Sequence, residues 1–486
     1  MLLKVQGLNF SYGSGLVLKD IDFSIDKNEI VAVVGPNGSG KTTLSYCLSG
    51  VIPHLIRGNI KGGVFIKGKN ILLNSLEEIV GEVGYIFQDP ENQFVTLRVR
   101  DELETAISNK NNSAQFIIDT FQINNILDKS PSELSMGQKQ RVALVSTLLR
   151  HPSLLILDEP GSTIDPCGIK QLSLILKNLS NEIAIVLFTH DIELAHSVAD
   201  RILGISEGKI KFDKPSSSVN DQDYVNLYQL DRLRNSKNIS AYHQNHKPKK
   251  LFAQNLSFRF PRSENFAVQN LSLEINDNWG IAGLNGSGKT TLLLLLAGLI
   301  KPTKGAIHFD NAPINKMTIR ERLSEIGVIF QNPNHQIFAP TIYEELSFGL
   351  KNLGISKDEI SKRIAEVSDL FELGDLKRDP HTLSFGWRKI LALASVFAMQ
   401  PHFIFFDEPE LGLDLYFKQK FESITDIAYK NGLRLILASH NLQLLQKFSK
   451  NISFLENGEL EWTLSGNEAI PKIKQYYDIC SSNHFY

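Results

Sequence analysis

The sequence predicts an α/β protein made of two tandem domains, each with a mainly parallel sheet core, an antiparallel β subdomain and a helical subdomain. Three observations support this prediction. A chain of 486 residues is too long for one hydrophobic core. The same motifs occur twice along it. Several apolar runs have the length of a strand and no polar alternation, which is typical of parallel sheets covered on both faces.

The two halves repeat each other with a nearly constant offset of 243 to 250 positions between equivalent motif residues. The clearest pairs are Lys41 and Lys289, Gln88 and Gln331, Ser135 and Ser384, Asp158 and Asp407, and His190 and His440. An offset of this length indicates duplication of a whole domain, because solenoid repeats are much shorter. We therefore expect one domain over residues 1–230, a linker over 231–250 and a second domain over 251–486.

The predicted linker lacks an apolar period and is strongly basic. Its charged residues are Asp231, Arg232, Arg234, Lys237, Lys247, Lys249 and Lys250. Two interpretations fit this composition: a solvated connection between the domains, or a segment that contacts anionic lipid beside a membrane partner.

The expected order of elements is the same in both halves. In the first half we expect strands over residues 3–8, 20–25, 30–34, 64–72, 154–157 and 183–188, a helix over 43–48 and a mostly helical region over 97–150. In the second half the inner strands are expected over 279–282, 404–406 and 433–438.

Composition excludes several classes of protein. The net charge of −2 is not that of a strongly basic nucleic-acid binder, and we expect no nucleic-acid partner. Cys47, Cys167 and Cys480 lie far apart and match no metal-ligand spacing, which favours a reduced cytosol. The N-terminus does not resemble a signal peptide. The most apolar stretch, residues 292–300, is far shorter than the roughly 20 residues that span a bilayer, so we expect any membrane role to depend on a partner.

Two glycine-rich loops, each between a predicted strand and a predicted helix, have the pattern of a phosphate-binding loop. Backbone N–H groups of such a loop face a polyphosphate at the helix N-terminus, the lysine reaches the β- and γ-phosphates, and the following threonine binds Mg²⁺. The first loop is Gly35, Pro36, Asn37, Gly38, Ser39, Gly40, Lys41, Thr42 and Thr43. The second is Gly283, Leu284, Asn285, Gly286, Ser287, Gly288, Lys289, Thr290 and Thr291. An ordinary glycine-rich turn explains one such loop but not its recurrence.

Further polar residues follow the inner strands of both halves, at the edge where open α/β sheets place ligands. Asp158 and Asp407 are the candidate Mg²⁺ ligands, and Glu159 and Glu408 are candidates to polarise an attacking water. His190 and His440 end two later strands, where they are expected to contact the γ-phosphate. Each residue taken alone also fits a structural role, as a turn cap or a hydrogen-bonded histidine.

The segments from Leu134 to Arg141 and from Leu383 to Lys389, each placed before a predicted helix, resemble the signature of ATP-binding-cassette ATPases. That resemblance implies that the signature of one domain faces the ATP of the other, so that the two domains pair. The implied nucleotide contacts are Ser135, Gly137, Gln138, Ser384 and Gly386. The family has two adjacent glycines, whereas this chain has Met136 and Phe385 in the first slot and Trp387 in place of the usual glutamine.

The same resemblance implies roles for other residues. Gln88 and Gln331 match the glutamine that binds the metal, takes part in catalysis and links the site to a membrane partner. Asp165 and Asp414 match aspartates that communicate across the domain pair. Tyr12 and Phe260 match the aromatic residue that stacks on adenine, although each also fits a core aromatic on an edge strand.

Residues 87–94 and 330–337 are similar to the Phe-Gln-Asn-Pro-x-x-Gln pattern of energy-coupling-factor transporter ATPases. This resemblance implies an ATPase subunit that is peripheral on the cytoplasmic membrane face, with a transmembrane coupling subunit and a small substrate-binding membrane subunit as partners. The partner would contact residues 89–108 and 332–349. Residues 51–58 resemble fused members associated with thiamine or its hydroxymethylpyrimidine precursor. Other substrates of the family are further vitamins and cobalt or nickel ions.

Three other functions are considered. A fused ATPase of a conventional sugar importer is the closest rival, and the paired Asx-Pro-x-x-Gln segments disfavour it. A soluble translation factor with paired cassettes would have a long charged helical linker, and a chromosome or repair ATPase would have a long coiled coil between loop and signature.

We also expect the two ATP sites to hydrolyse ATP at unequal rates. The site with Lys41 and Glu159 is expected to be the slower one, because it would receive the signature that contains Trp387.

Overall fold

The computed structural model describes residues 1–13, 15–107, 113–162, 164–233, 249–261, 263 and 265–482. The chain divides into two compact units, the first built mainly from residues 1–232 and the second mainly from residues 233–486. Most of the predicted linker, including Arg234, Lys237 and Lys247, lies outside the described residues. The predicted domain boundaries therefore stay a prediction.

The first half follows the expected order of strands and helices. Its strands are β1 (Leu3–Ser11), β2 (Leu18–Ile25), β3 (Ile30–Val34), β4 (Asn59–Ile66), β5 (Lys69–Asn70), β6 (Val83–Ile86), β7 (Leu154–Asp158), β8 (Ala184–Thr189), β9 (Arg201–Ser206) and β10 (Lys209–Pro215). Its helices are α1 (Lys41–Ser49), α2 (Val51–His54), α3 (Leu76–Val80), α4 (Val99–Ala106), α5 (Ser113–Thr120), α6 (Met136–Leu148), α7 (Pro166–Leu179), α8 (Ile192–Val198) and α9 (Asp221–Tyr228).

Two sheets organise this half. The larger has the order β10-β9-β3-β8-β7-β6, in which β10 alone among the described strands is antiparallel to its neighbour. The smaller sheet, β2-β1-β4-β5, is antiparallel throughout. Every residue of β3, β7 and β8 is buried, as expected for strands that helices cover on both faces. The predicted parallel core and antiparallel subdomain are both confirmed.

The strand predicted over residues 64–72 is wrong in its limits. The observed strand β4 begins earlier, at Asn59, and ends at Ile66. Lys67 and Gly68 then adopt positive φ angles of 50° and 81°, which reverse the chain into the short strand β5. The apolar residues 71 and 72 resemble a continuation of the strand in sequence, but they are buried after this turn.

The second half repeats the design. Its strands are β11 (Leu251–Phe258), β12 (Val268–Ile275), β13 (Trp279–Ala282), β14 (Lys304–Phe309), β15 (Ala312–Pro313), β16 (Ile326–Ile329), β17 (Phe403–Asp407), β18 (Arg434–Ala438), β19 (Asn451–Glu456) and β20 (Glu459–Ser465). Its helices are α10 (Lys289–Leu296), α11 (Ile319–Glu325), α12 (Ile342–Asn352), α13 (Lys357–Phe371), α14 (Phe385–Met399), α15 (Leu415–Lys430), α16 (Leu442–Phe448) and α17 (Gly466–Ser482).

The sheets of this half have the orders β16-β17-β18-β13-β19-β20 and β12-β11-β14-β15. The indole N–H of Trp279 on β13 donates to Ser453 Oγ on β19 at 2.9 Å, which satisfies a polar group inside the core. Lys249 and Lys250, expected in the linker, instead form ion pairs with Glu325 and Glu274 of this half. Among the described helices, none combines the length and apolar character needed to cross a bilayer.

Candidate active site

The first glycine-rich loop runs from the end of β3 to the start of α1, as predicted. A side chain on Gly35 would place its Cβ 2.0 Å from the carbonyl oxygen of Ile205, so only glycine fits beside β9. Gly40 has a φ of 105° and directs the chain into the helix. The Lys41 ammonium group is buried and donates to the carbonyls of Gly35 at 2.8 Å and Pro36 at 3.2 Å. This loop therefore holds its lysine inside the phosphate cradle.

The second loop has the same geometry between β13 and α10. A Cβ on Gly283 would lie 2.4 Å from the carbonyl oxygen of Leu455, and Gly288 has a φ of 100°. The buried Lys289 donates to the carbonyls of Gly283 at 2.8 Å and Leu284 at 3.0 Å. Both loops are thus shaped to bind a polyphosphate group with backbone N–H groups and a lysine.

The acidic pairs lie at the carboxyl ends of β7 and β17. Asp158 and Asp407 are the last residues of these strands, and all four carboxylate side chains are buried. Glu159 and Glu408 have positive φ angles of 51° and 42°, a conformation that side chains rarely adopt. Backbone strain of this kind is frequent at functional sites, and here it turns each glutamate out of its strand.

Each glutamate is paired with the predicted histidine of its own half. Glu159 Oε2 lies 2.7 Å from His190 Nδ1 and accepts the His190 backbone N–H at 3.2 Å. Glu408 Oε2 lies 3.0 Å from His440 Nδ1 and accepts the His440 backbone N–H at 3.3 Å. A histidine that lies just after one strand therefore holds the glutamate that follows the neighbouring strand.

Burial and neighbouring charges together set the pKa values of the two glutamates and of His440. Burial opposes ionisation of Glu159 and Glu408, but the neighbouring histidine and lysine outweigh it and hold the pKa of both glutamates below the ordinary value. Burial also opposes a charge on His440, yet Glu408 raises the pKa of this histidine above its ordinary value. Both glutamates are therefore ionised near neutral pH and able to accept a hydrogen bond from water.

The two aspartates differ from the glutamates. Burial, which is the main cause, and the adjacent glutamate together raise the pKa of Asp158 and of Asp407 to about 6. Thr290 Oγ1 donates to Asp407 Oδ1 at 2.9 Å, and the Thr42 side chain is also hydrogen-bonded to Asp158. Within the described residues, Asp158 Oδ1 is buried and has no hydrogen-bond partner. Carboxylate and hydroxyl oxygens are ligands that Mg²⁺ prefers, so this set fits the cation, which would neutralise phosphate charge when bound.

The sequence of this chain is similar to those of known proteins. The family model described as ABC transporter matches residues 18–162 and 267–410. A protein of Methanosarcina mazei, named as an ABC transporter ATP-binding protein, is 30% identical, and the match covers 94% of this chain and 88% of that protein. The chain belongs to the ABC transporter family. Its two cassettes bind ATP with Mg²⁺ and hydrolyse ATP.

A further relative and a solved structure are also similar to this chain. A Vibrio vulnificus protein, also named as an ABC transporter ATP-binding protein, is 28% identical over 95% of this chain and 89% of its own length. The archaeal ribosome recycling factor aABCE1, solved in complex with the ribosomal stalk protein aP1, has a TM-score of 0.65 and 19% identity, with 98% of this chain and 92% of that chain covered. The similarity to aABCE1 shows only a shared fold.

The signature segments of both cassettes begin helices, as expected. Ser135 caps α6, since its Oγ accepts the Gln138 N–H at 3.3 Å and its own N–H donates to Gln138 Oε1 at 3.0 Å. Ser384 caps α14 by accepting the Trp387 N–H at 3.4 Å. Gln138 therefore has a capping function in addition to the predicted contact with nucleotide.

Trp387 packs within its own cassette. Its ring meets that of Phe417 edge-on at 5.5 Å, and Lys420 Nζ lies 4.9 Å from the ring centroid. The ring does not displace Ser384 from its position as helix cap. The contact of each signature with the nucleotide of the other cassette stays a prediction, as does the role of Gly137 and Gly386 in it.

The two glutamines and the two aromatic residues to which the family resemblance gives a role lie on loops. Gln88 and Gln331 are exposed after β6 and β16, respectively, and their predicted roles in metal binding and catalysis stay predictions. Tyr12 and Phe260 are half exposed, which excludes the alternative that they are core aromatics. The Tyr12 hydroxyl lies 3.1 Å from Thr43 Oγ1 beside the first loop. Both rings are thus accessible to an adenine, and stacking on it stays a prediction.

Two further buried residues, which are not among the predicted site residues, contact the backbone that follows each acidic pair. Lys389 is buried on α14 and donates to the carbonyls of Pro409 at 2.8 Å and Leu411 at 2.7 Å, directly after the acidic pair. In the first cassette Gln140 occupies this position and donates to the Pro160 carbonyl at 2.5 Å. The repeat offset of 249 pairs the two residues, so alignment of the halves is the signal that points to them.

Proposed function

We propose that this chain is the ATP-hydrolysing subunit of an energy-coupling-factor importer, peripheral on the cytoplasmic face of the membrane. Its partners would be a transmembrane coupling subunit and a small membrane subunit that binds the substrate. The substrate class we favour is a micronutrient: a vitamin, a vitamin precursor such as that of thiamine, or a cobalt or nickel ion. The observation that carries the proposal is an exposed apolar loop that follows the Phe-Gln-Asx-Pro-x-x-Gln segment in each cassette.

In the first cassette the loop holds Val95 and Leu97, whose exposed fractions are 84% and 85%. The buried carboxylate of Glu102 organises it. Glu102 Oε2 accepts the N–H groups of Val95 at 3.0 Å and Thr96 at 3.1 Å, and the Thr96 hydroxyl at 3.0 Å. Charge-assisted hydrogen bonds of this kind keep the loop in one shape while its apolar side chains face outward.

The second cassette repeats the device 243 residues later. Glu345 Oε2 accepts the N–H groups of Phe338 at 3.1 Å and Ala339 at 2.9 Å. Phe338 is 59% exposed and packs edge-on against the exposed ring of Phe348 at 4.7 Å. An exposed apolar surface on a loop that is ordered by hydrogen bonds is typical of a protein interface.

The last glutamine of each segment anchors the start of the loop. Gln93 Nε2 donates to Thr147 Oγ1 at 3.0 Å, and Gln336 Nε2 donates to the Ala392 carbonyl at 3.5 Å. The pattern that resembles energy-coupling-factor ATPases therefore has a physical reason, because its glutamine ties the loop to α6 or α14. The predicted partner regions, residues 89–108 and 332–349, contain both loops.

In the proposed cycle, each ATP completes a composite site that includes the loop and acidic pair of one cassette and the signature of the other. Glu159 and Glu408 would orient water, His190 and His440 would contact the γ-phosphate, and loss of that phosphate would let the cassettes separate. Gln88 and Gln331 would report this change to the transmembrane partner through the adjoining apolar loops.

Affinity purification of the full chain from membranes tests the proposal. We expect a transmembrane subunit and a small membrane subunit to be recovered with it, and Leu97→Asp and Phe338→Asp to reduce their recovery several-fold. Leu73→Asp is the matched control, because Leu73 is 83% exposed but lies outside both loops.

Two results would contradict the proposal. Recovery with ribosomes and without membrane proteins would favour a soluble translation factor. Recovery with the membrane subunits of a sugar importer would favour the conventional alternative. Unchanged recovery of partners by all three variants would show that the apolar loops do not form the interface.

A further inference from the structure

We propose that Tyr85 and Ser45 are positioning residues that orient Asp158 toward Mg²⁺ in the first cassette, and that the second cassette lacks this device. Neither residue belongs to the loop, acidic, histidine or signature motifs. The proposal concerns ATP and metal binding, so it does not depend on the importer proposed above.

Three side chains form a closed hydrogen-bonded group. The Tyr85 hydroxyl donates to Asp158 Oδ2 at 3.2 Å, and Ser45 Oγ approaches the same oxygen at 3.4 Å. The two hydroxyls are 2.9 Å apart. Ser45 is fully buried and Asp158 is buried, so these contacts are shielded from water and correspondingly stronger.

The two hydroxyls are themselves held in place. Ser45 lies on α1, one turn after Lys41, and its Oγ is 2.9 Å from the carbonyl of Thr42. Tyr85 lies on β6, paired with Ile156 of β7. The Tyr85 ring packs edge-on against Phe87 at 4.8 Å. Residues from a helix and from the neighbouring strand therefore converge on one carboxylate oxygen.

Among the residues that the structure describes, the second cassette shows no counterpart to this group. The repeat places Leu293 at the position of Ser45 and Val328 at the position of Tyr85. Val328 pairs with Phe405 of β17 as Tyr85 pairs with Ile156, so the two strands are in equivalent register. Leucine and valine offer no hydroxyl, and the hydrogen bond that Asp407 receives is from Thr290.

The arrangement has a direct consequence for the metal. With Oδ2 accepting the Tyr85 hydroxyl and Ser45 packed beside both groups, the carboxylate cannot rotate freely, and Oδ1 has no hydrogen-bond partner among the described residues. A metal ligand whose second oxygen is fixed loses less conformational entropy on binding. We therefore infer that the first cassette has a more strongly preorganised metal site than the second.

The test measures Mn²⁺ binding, as a probe for Mg²⁺, by electron paramagnetic resonance of the full chain with a non-hydrolysable ATP analogue. A Lys289→Ala background confines the measurement to the first site. We expect Tyr85→Phe to raise the Mn²⁺ dissociation constant by about tenfold, the lower end of second-shell effects on metal affinity. Ser45→Ala should act in the same direction.

Tyr46→Phe is the matched control, because its ring lies 6.0 Å from that of Tyr85 but its hydroxyl is not among the described partners of Asp158. Affinity for the analogue without divalent metal should be unchanged in all variants. In the opposite background, Lys41→Ala, Tyr85→Phe should leave Mn²⁺ binding unaltered. Unchanged Mn²⁺ affinity at the first site, or an equal loss of analogue affinity in the absence of metal, would overturn the proposal.

Discussion

His190 Nδ1 lies 2.7 Å from Glu159 Oε2, and His440 and Glu408 repeat the pair at 3.0 Å. In each cassette the histidine lies just after one buried strand, and the glutamate lies just after the adjacent strand. The lysine of the phosphate loop is nearby, with Nζ–Oε1 distances of 3.9 Å for Lys41 and Glu159 and 3.5 Å for Lys289 and Glu408. The glutamate is therefore held between two groups that would contact phosphate.

We expect Glu408→Gln to reduce the ATPase rate of the full chain more than Glu159→Gln. Glutamine keeps the shape of the side chain but cannot act as a base, and removal of a general base typically costs about 10²- to 10⁴-fold in a single site. Steady-state phosphate release measures the rate, and ATP binding should be retained by both variants. Equal losses, or a larger loss from Glu159→Gln, would contradict the expected inequality of the sites.

Gly386→Ala should destabilise the second cassette. A Cβ at this position would lie 2.3 Å from the Phe417 ring, so the helix or the ring must shift, and such overpacking typically costs about 1–3 kcal/mol. Gly137→Ala in the first signature is the matched control, because a Cβ there meets no atom within 4 Å. Urea unfolding monitored by fluorescence compares the two. A similar free energy of unfolding for both variants would show that Phe417 yields without cost.

Lys389→Gln should change how stability depends on pH. Burial lowers the pKa of Lys389 from its ordinary value of 10.5 to about 8, so between these values the unfolded chain binds more protons than the folded chain. The contribution of Lys389 to the free energy of unfolding therefore rises with pH from about 8 to 10.5. Glutamine is the residue at the equivalent position of the first cassette and can still donate to a carbonyl.

Urea unfolding of both proteins at several pH values measures this effect. The difference in unfolding free energy, wild type minus Lys389→Gln, should be constant below pH 8 and increase above it. A difference that is the same at pH 7 and pH 10 would mean that Lys389 keeps its proton in the folded chain throughout this range.

Glu345→Gln should loosen the apolar loop of the second cassette. Glutamine can still place its one oxygen where both backbone N–H groups donate, but it removes the negative charge, and hydrogen bonds to a charged group contribute about 1.5–3 kcal/mol against about 0.5–1.5 kcal/mol for a neutral acceptor. We expect a several-fold lower recovery of the transmembrane partner with unchanged ATP binding. Glu344→Gln is the control, because Glu344 is exposed on the same helix and its carboxylate accepts the Thr341 hydroxyl, not the N–H groups of Phe338 and Ala339. Equal recovery from both variants would show that loop order is not required.

Much of the fold and of the site could be predicted from the sequence because the relevant physics is local. A phosphate loop needs glycines and a lysine at fixed spacing, and Gly35, Gly40 and Lys41 lie within seven consecutive positions. Buried parallel strands appear as apolar runs, and the acidic pairs and histidines follow those runs directly. The duplication supports each motif, because each motif occurs twice. The turn at Lys67 and Gly68 was missed, since apolar residues on both sides resemble one continuous strand.

Only the tertiary structure decided which side chains meet across the chain. Ser45, Tyr85 and Asp158 are far apart in sequence, and their shared hydrogen bonds depend on how α1, β6 and β7 pack together. The acceptor role of Glu102 and the outward direction of Leu97 likewise depend on a loop folded over α4. Contacts of this kind are set by packing geometry, whereas the motifs are set by the chemistry of a few consecutive residues.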